Sequence, residues 1–196
     1  DALCLVTHRA DCPFPQEMRY ELPGLVIDNC AMAGRSSKTF REEGRLDDIA
    51  AHIRPGDLLV VSFGHNDANR AKAERYVPAD AFGESLRPFW DAARSHGAVC
   101  IFASPVAMRE FDEAGVCHPS FAAYREAMRA FAAEVGAPFI DLGAATAAAN
   151  TAFGAERCKA RYMWVGAKQD NAHQQNAGAC RTAQAFVQQL LQDTTP

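Results

Sequence analysis

An aspartate and a histidine stand three residues apart in "QDNAHQQNAGA", at Asp170 and His173. A carboxylate at that spacing can reach one imidazole nitrogen while the other faces a cleft. It then fixes the tautomer and stabilises the imidazolium, as general-base catalysis of acyl transfer requires. The same residues also suit a plainer use, with Asp170 capping a following helix and His173 on the surface of its first turn. A base of this kind needs donors for the negative charge that develops on the substrate. "VVSFGHND", residues 60–67, offers Asn66, whose side-chain amide is a fixed donor, and Gly64, which lets backbone approach a ligand closely. A turn in which Asn66 and Asp67 bond their own backbone would use the same letters. "NCAMAGRSSKTF", residues 29–40, adds Gly34, whose N–H can point into the same crevice, surrounded by Arg35, Ser36, Ser37 and Lys38. A glycine-containing loop leading to a helix is its plainer meaning.

Positioning these groups requires a frame. The runs "ALCLV", "GLVID", "DLLVVSF", "AVCIFAS" and "PFIDL" are short, apolar and bounded by Gly, Pro or Asp, the pattern of buried strands. Continuous apolar runs of this kind suit a parallel sheet covered on both faces. Between them "EEGRLDDIAAHI", "PADAFGESLRPFWDAARSHG" and "HPSFAAYREAMRAFAAEVGAP" carry apolar residues at helical spacing. In the last, Phe121, Tyr124, Met128, Phe131 and Val135 mark one face, ended by Gly136 and Pro138. Alternating strands and helices predict right-handed crossovers and an open doubly wound sheet, with ligands beyond the carboxyl ends of its strands. The segment GHND follows one such end. A final helix over about Asn176 to Leu191 is expected to turn Cys180, Ala183, Phe186, Val187, Leu190 and Leu191 inward, with Asp170 and His173 in the loop-to-helix transition before it. The Ala-rich "LGAATAAAN" has the look of a low-complexity tract without being one.

In this order and at these distances, "NCAMAGRSSKTFREEGRL", "VVSFGHND" and "DNAHQQNAGA" resemble the second, third and fifth blocks of the SGNH (GDSL-type) hydrolases, in particular their rhamnogalacturonan acetylesterase-like branch. The resemblance runs from about Gly24 to Leu191. It implies a three-layer α/β/α sandwich around a mostly parallel five-stranded sheet, and an esterase that removes O-acetyl or other acyl groups from sugars or polysaccharides such as pectic rhamnogalacturonan, without metal or organic cofactor. By position it implies His173 as base, Asp170 as its orienter, and the Gly34 N–H with the Asn66 amide as oxyanion donors. His65 is similar to the histidine of that branch's third block and is expected on the substrate side, with Arg35 and Ser36. The loop "FDEAGVCHPS" and the stretch "FGAERCKARYMWVGAK" are expected to shape the cleft, where Trp164 and Tyr162 would either stack on a sugar or pack against the core.

The chain departs from the family at its first block, Gly-Asp-Ser, which supplies the nucleophilic serine after the first strand. Here "ALCLV" is followed by "THRADCPFP", and no serine precedes Ser36. Thr7, β-branched and hindered, is the hydroxyl nearest the expected position. Takeover by Ser36 or Ser37, or a truly degenerate block, are the alternatives, and a non-catalytic protein that binds acylated glycans is the rival from another class.

At 196 residues the chain suits one domain, 1–196, with a sizeable core. A net charge of -4 gives no broad pull towards phosphate backbones, so nucleic acid is not an expected partner. No apolar run nears the roughly 20 residues that span a bilayer, and no leader pattern is visible, so no membrane is expected either. The resemblance implies a small-molecule or polysaccharide ester as partner; oligomeric state is left open, and the setting is read as cytoplasmic or secreted. Seven cysteines, at 4, 12, 30, 100, 117, 158 and 180, show no zinc-like spacing and read mostly as buried small hydrophobes. A disulfide, for example Cys117 with Cys158, is expected only in an exported setting.

Overall fold

The structure, a computed structural model, describes residues 2–6 and 26–193. Its contacts divide the chain into two compact units. Within the described residues, the first holds residues 2–6, 26–105 and 121–140, and the second holds 106–120 and 141–193.

The first unit is built on a five-stranded parallel sheet in the order β2-β1-β3-β4-β5. Its strands are β1 (Ala2–Val6), β2 (Val26–Asn29), β3 (Leu58–Val61), β4 (Val99–Ala103) and β5 (Phe139–Ile140). All five expected runs therefore form strands, in the order of doubly wound sheets whose ligands sit where the strand order reverses, between β1 and β3. Val6 at the end of β1 pairs with Val61 at the end of β3. Leu59, Val60 and Val61 are all fully buried, which is why β3 reads as a continuous apolar run and not as an alternation.

Among the described residues, four helices belong to this unit: α1 (Ser37–Glu42), α2 (Arg45–Ala50), α3 (Ala79–Ser95) and α4 (Ala122–Val135). The stripe predicted for α4 is the buried one, with Tyr124, Met128 and Phe131 in the core and Phe121 and Val135 packed against it. Phe40 of α1, Phe63 just after β3 and Phe89 of α3 form an aromatic cluster, their centroids 5.3 to 6.1 Å apart. This cluster fastens the start of α1 and the tip of β3 to the same core.

The second unit contains α5 (Leu142–Phe153), a 3-10 turn at Arg157–Arg161, the hairpin of β6 (Tyr162–Val165) and β7 (Lys168–Gln174), and α6 (Asn176–Asp193). The Ala-rich stretch is thus a helix, capped by the Asp141 carboxylate, which accepts from Ala144 N at 3.1 Å. In α6, Ala183, Phe186 and Val187 are buried as expected, whereas Leu191 is 57% exposed. Cys117 and Cys158 are free thiols, not a disulfide; both engage Asn150, with Asn150 Nδ2 3.8 Å from Cys117 Sγ and Cys158 Sγ 3.6 Å from Asn150 Oδ1. Among the described residues, no helix is long and apolar enough to cross a membrane. Phe89 is fully buried in the aromatic cluster. Phe89→Ala is therefore expected to lower unfolding free energy by about 3–5 kcal/mol, read as a fall in the urea midpoint at unchanged slope.

Candidate active site

The chemistry-bearing residues fall into two groups, one in each unit. In the first unit, β2 leads into a loop where Gly34 has φ of 73°, a left-handed conformation that costs a residue with a Cβ roughly 1–2 kcal/mol. Ser36 then caps α1 in a capping box with Thr39. After β3, Gly64 has φ of 134°, and a Cβ added there would lie 2.5 Å from Pro105 Cγ. Backbone strain and crowding both demand glycine at this position.

A single buried carboxylate joins these two loops. Asp67 Oδ1 accepts from Ser37 N at 2.9 Å and from Ser37 Oγ at 2.6 Å, while Oδ2 accepts from Gly64 N at 3.0 Å. Burial pushes the Asp67 carboxyl above the usual carboxylate range, opposed by the bonds from the Ser37 hydroxyl and from the Ser37 and Gly64 N–H groups. Ser37 Oγ also meets Ser85 Oγ of α3 at 2.8 Å. A second link is made by Asn66, whose Nδ2 donates to Arg35 O at 3.1 Å and so spends one of its two N–H groups on the Gly34 loop. None of the described residues accepts from the Gly34 N–H.

The other residues expected near substrate have varied placements. His65 is half-buried, its ring edge-on to Phe121 at 4.9 Å, and Phe121 is the one non-glycine residue with positive φ, 55°, among those described. Strain of that kind persists only where the surroundings over-determine it. Arg35 grips Glu43 with Nε at 2.9 and 3.0 Å and its own loop through Ala33 O at 2.8 Å. Ser36, expected to face substrate, is fully buried as a helix cap, and Ser37 is buried on Asp67; neither is placed as a nucleophile. Thr7 lies outside the described residues.

In the second unit, Asp170 and His173 sit on β7 and not in a loop-to-helix transition. In a regular strand, residues three apart point to opposite faces. Here the Asp170 side chain curls the strand: Oδ1 accepts from Ala172 N and from His173 N, both at 2.9 Å, and the β6–β7 register shifts between Tyr162 and Trp164. Asp170 Oδ2 then meets His173 Nδ1 at 2.6 Å. An ionised carboxylate only accepts, so Nδ1 carries the proton and Nε2 becomes the basic nitrogen of the neutral ring. Partial burial pushes the Asp170 carboxyl up, but the N–H groups of His173 and Ala172, with the imidazole, outweigh it and hold it at about 2. The imidazole side chain is 38% exposed and its carboxylate 18%, so the ring reaches outward from a sheltered carboxylate.

The neighbouring Asn171 is tied down more firmly. Its backbone O accepts from Arg109 N at 2.7 Å, and its Oδ1 accepts from Trp164 Nε1 at 2.9 Å and Arg109 Nη1 at 3.2 Å. Trp164, expected against substrate, is half-buried between the Arg109 guanidinium and the Lys159 ammonium, each 4.7 Å from its ring. It braces the Asp170 to His173 segment. Tyr162 is fully buried, donating to Ala107 O at 2.7 Å, and so belongs to the core and not to a sugar platform.

A parallel sheet in the order 2-1-3-4-5 fits the SGNH fold, and the family match makes the chain an acyl hydrolase of that kind. The chain belongs to the GDSL-like Lipase/Acylhydrolase family, whose profile matches residues 6–190. It is 37% identical over 174 residues to the rhamnogalacturonan acetylesterase RhgT of Bacillus subtilis strain 168, covering 84% of this chain and 74% of that protein. The probable rhamnogalacturonan acetylesterase YesY of the same organism is 39% identical over 156 residues, covering 79% and 71%. The crystal structure of YxiM from Bacillus subtilis superposes with a TM-score of 0.86 at 25% identity, over 98% of this chain but only 56% of that one.

Sequence reasoning did not assign Asp67 and Ser37 a bracing role, because their partnership spans thirty positions and no local pattern announces it. Two outcomes follow. Asp67→Ala is expected to lower stability by about 3 kcal/mol, since it strands two buried backbone N–H groups, and denaturant unfolding reads it directly. For Asp170, whose folded pKa lies below its unfolded value near 3.9, the stabilisation is present above about pH 4 and is lost as pH falls towards 2. The stability difference between wild type and Asp170→Asn, measured by urea unfolding, should shrink over that window.

Proposed function

We propose that this chain is a carbohydrate esterase that removes O-acetyl groups from sugars or polysaccharides, with rhamnogalacturonan the leading substrate class. The observation that carries the reading is the Asp170–His173 hydrogen bond at 2.6 Å, which leaves Nε2 as the basic nitrogen. The names of the two acetylesterase relatives support the substrate class.

Each step needs a residue. A hydroxyl attacks the acetyl carbonyl while His173 Nε2 takes its proton, and Asp170 stabilises the imidazolium that results. The Gly34 N–H and the remaining N–H of Asn66 Nδ2 stabilise the carbonyl oxygen as it becomes an oxyanion. The intermediate collapses, the sugar oxygen leaves with the proton from His173, and water, activated by the same base, releases acetate. Thr7 is the hydroxyl assigned to the attack, in place of the serine that the family carries.

The missing serine, with no serine before Ser36, favours a second reading, in which the chain binds acylated glycans without cleaving them. Acetate release from p-nitrophenyl acetate and from acetylated rhamnogalacturonan oligosaccharides separates the two. On the esterase reading, His173→Ala lowers turnover by at least about 10³, and Thr7→Ser raises it by orders of magnitude because a primary hydroxyl replaces a hindered one. Turnover unchanged in His173→Ala would overturn the assignment of the base. Oligosaccharide binding without acetate release, in both wild type and Thr7→Ser, would favour the binding protein.

A further inference from the structure

One guanidinium meets Asn66 and lies beside Gly34, the two positions assigned as oxyanion donors. Arg75 belongs to none of the recognised motifs; it follows a tight run of turns in which Lys72 N donates to Asn69 O at 3.0 Å and Arg75 N to Lys72 O at 2.9 Å. Two residues on, Val77 N donates to Asp67 O at 3.0 Å, which brings this segment back beside the GHND turn. Arg75 Nη1 then stands 3.4 Å from Asn66 Oδ1. A Cβ added at Gly34 would lie 3.3 Å from the same Nη1 and 3.6 Å from Cζ. The φ of 73° is what calls for glycine at 34, and a Cβ there would press on the tip of the guanidinium.

We propose that Arg75 is a positioning residue for the oxyanion donors: it locks the Asn66 carboxamide with Nδ2 as the outward donor and adds a fixed positive charge beside Gly34. The inference rests on the reading of Gly34 and Asn66 as oxyanion donors. A guanidinium carries only donors, so the carboxamide face turned to it must be Oδ1. Arg35 O takes one Nδ2 hydrogen at 3.1 Å, which fixes the direction of the other. Among the described residues the charge is only loosely paired. The Glu74 carboxylate is 3.8 Å from Arg75 Nε and 62% exposed, so water screens it more than the 33% exposed arginine. Arg35, the other guanidinium of this loop, is spent on Glu43.

The test needs no turnover. Sodium acetate, the product carboxylate, is titrated at constant ionic strength into the full chain, and the Gly34 N–H and Asn66 Nδ2 resonances are followed by proton–nitrogen correlation spectra. Wild type should show saturable shifts at both. R75Q should weaken acetate binding by about tenfold and move the Asn66 side-chain resonances even without acetate, because a charge-assisted hydrogen bond is gone. R75K, which keeps the charge but not the planar fork, should bind with intermediate affinity. Wild-type affinity in R75Q with both shifts intact would overturn the role of Arg75 alone. Absence of saturable shifts at Gly34 and Asn66 in wild type would overturn the donor assignment and the proposal with it. Should R75Q fail to fold, R75K decides: wild-type affinity together with wild-type Asn66 resonances overturns the proposal, and a change in both supports it.

Discussion

A carboxylate removed from water is costly unless its oxygens are met by donors, and Asp67 meets that condition with three: the Ser37 hydroxyl, the Ser37 N–H and the Gly64 N–H. Those donors come from two loops that are distant in sequence, and each loop carries one of the residues assigned to oxyanion stabilisation. Satisfying one buried charge thus sets the distance between Gly34 and Asn66. Electrostatic catalysis depends on donors that are already in place before charge develops, since reorganising them during the reaction would consume the benefit. Asp67 supplies that rigidity from below, helped by Phe40, Phe63 and Phe89, which anchor the same two loops to the core.

The imidazole proposed as base is held by a different device. A β-hairpin would ordinarily separate residues three apart, yet the Asp170 carboxylate gathers two backbone N–H groups and one imidazole and bends the strand to do so. The aspartate therefore both shapes the backbone and selects the tautomer. Asn171, Trp164 and Arg109 hold the segment from the other side. Polar groups at the site are accordingly fixed by a surrounding shell of hydrogen bonds, and it is this shell that a sequence pattern does not display.

Much of the frame was legible in the sequence, because buried parallel strands leave continuous apolar runs that stop at Gly, Pro or Asp. The α4 stripe was legible for the same reason, since Tyr124, Met128 and Phe131 recur at helical spacing. The β6–β7 hairpin was not, since Tyr162–Val165 and Lys168–Gln174 are short and mixed in polarity, with no alternation strong enough to compete with the helix that follows. The pairing of Asp170 with His173 was visible in the letters, whereas the strand that carries it was not. Ser36 read as a ligand-facing hydroxyl because helix caps and binding loops draw on the same residue types; only burial tells them apart. Tyr162 was ambiguous in the same way, its hydroxyl finding Ala107 O and Asn150 inside the core.

If one buried carboxylate braces the oxyanion loops, its N–H donors must be protected from solvent by the same bond and released by the same loss. Amide hydrogen exchange at Ser37 and Gly64, compared between wild type and Asp67→Ala, which removes both acceptor oxygens, measures this residue by residue. The account predicts slow exchange at both amides in the wild type and a joint loss of protection in the variant, with the β3 and β4 amides unaffected. Protection at Ser37 and Gly64 that survives the substitution, or that is lost at one and kept at the other, would contradict it.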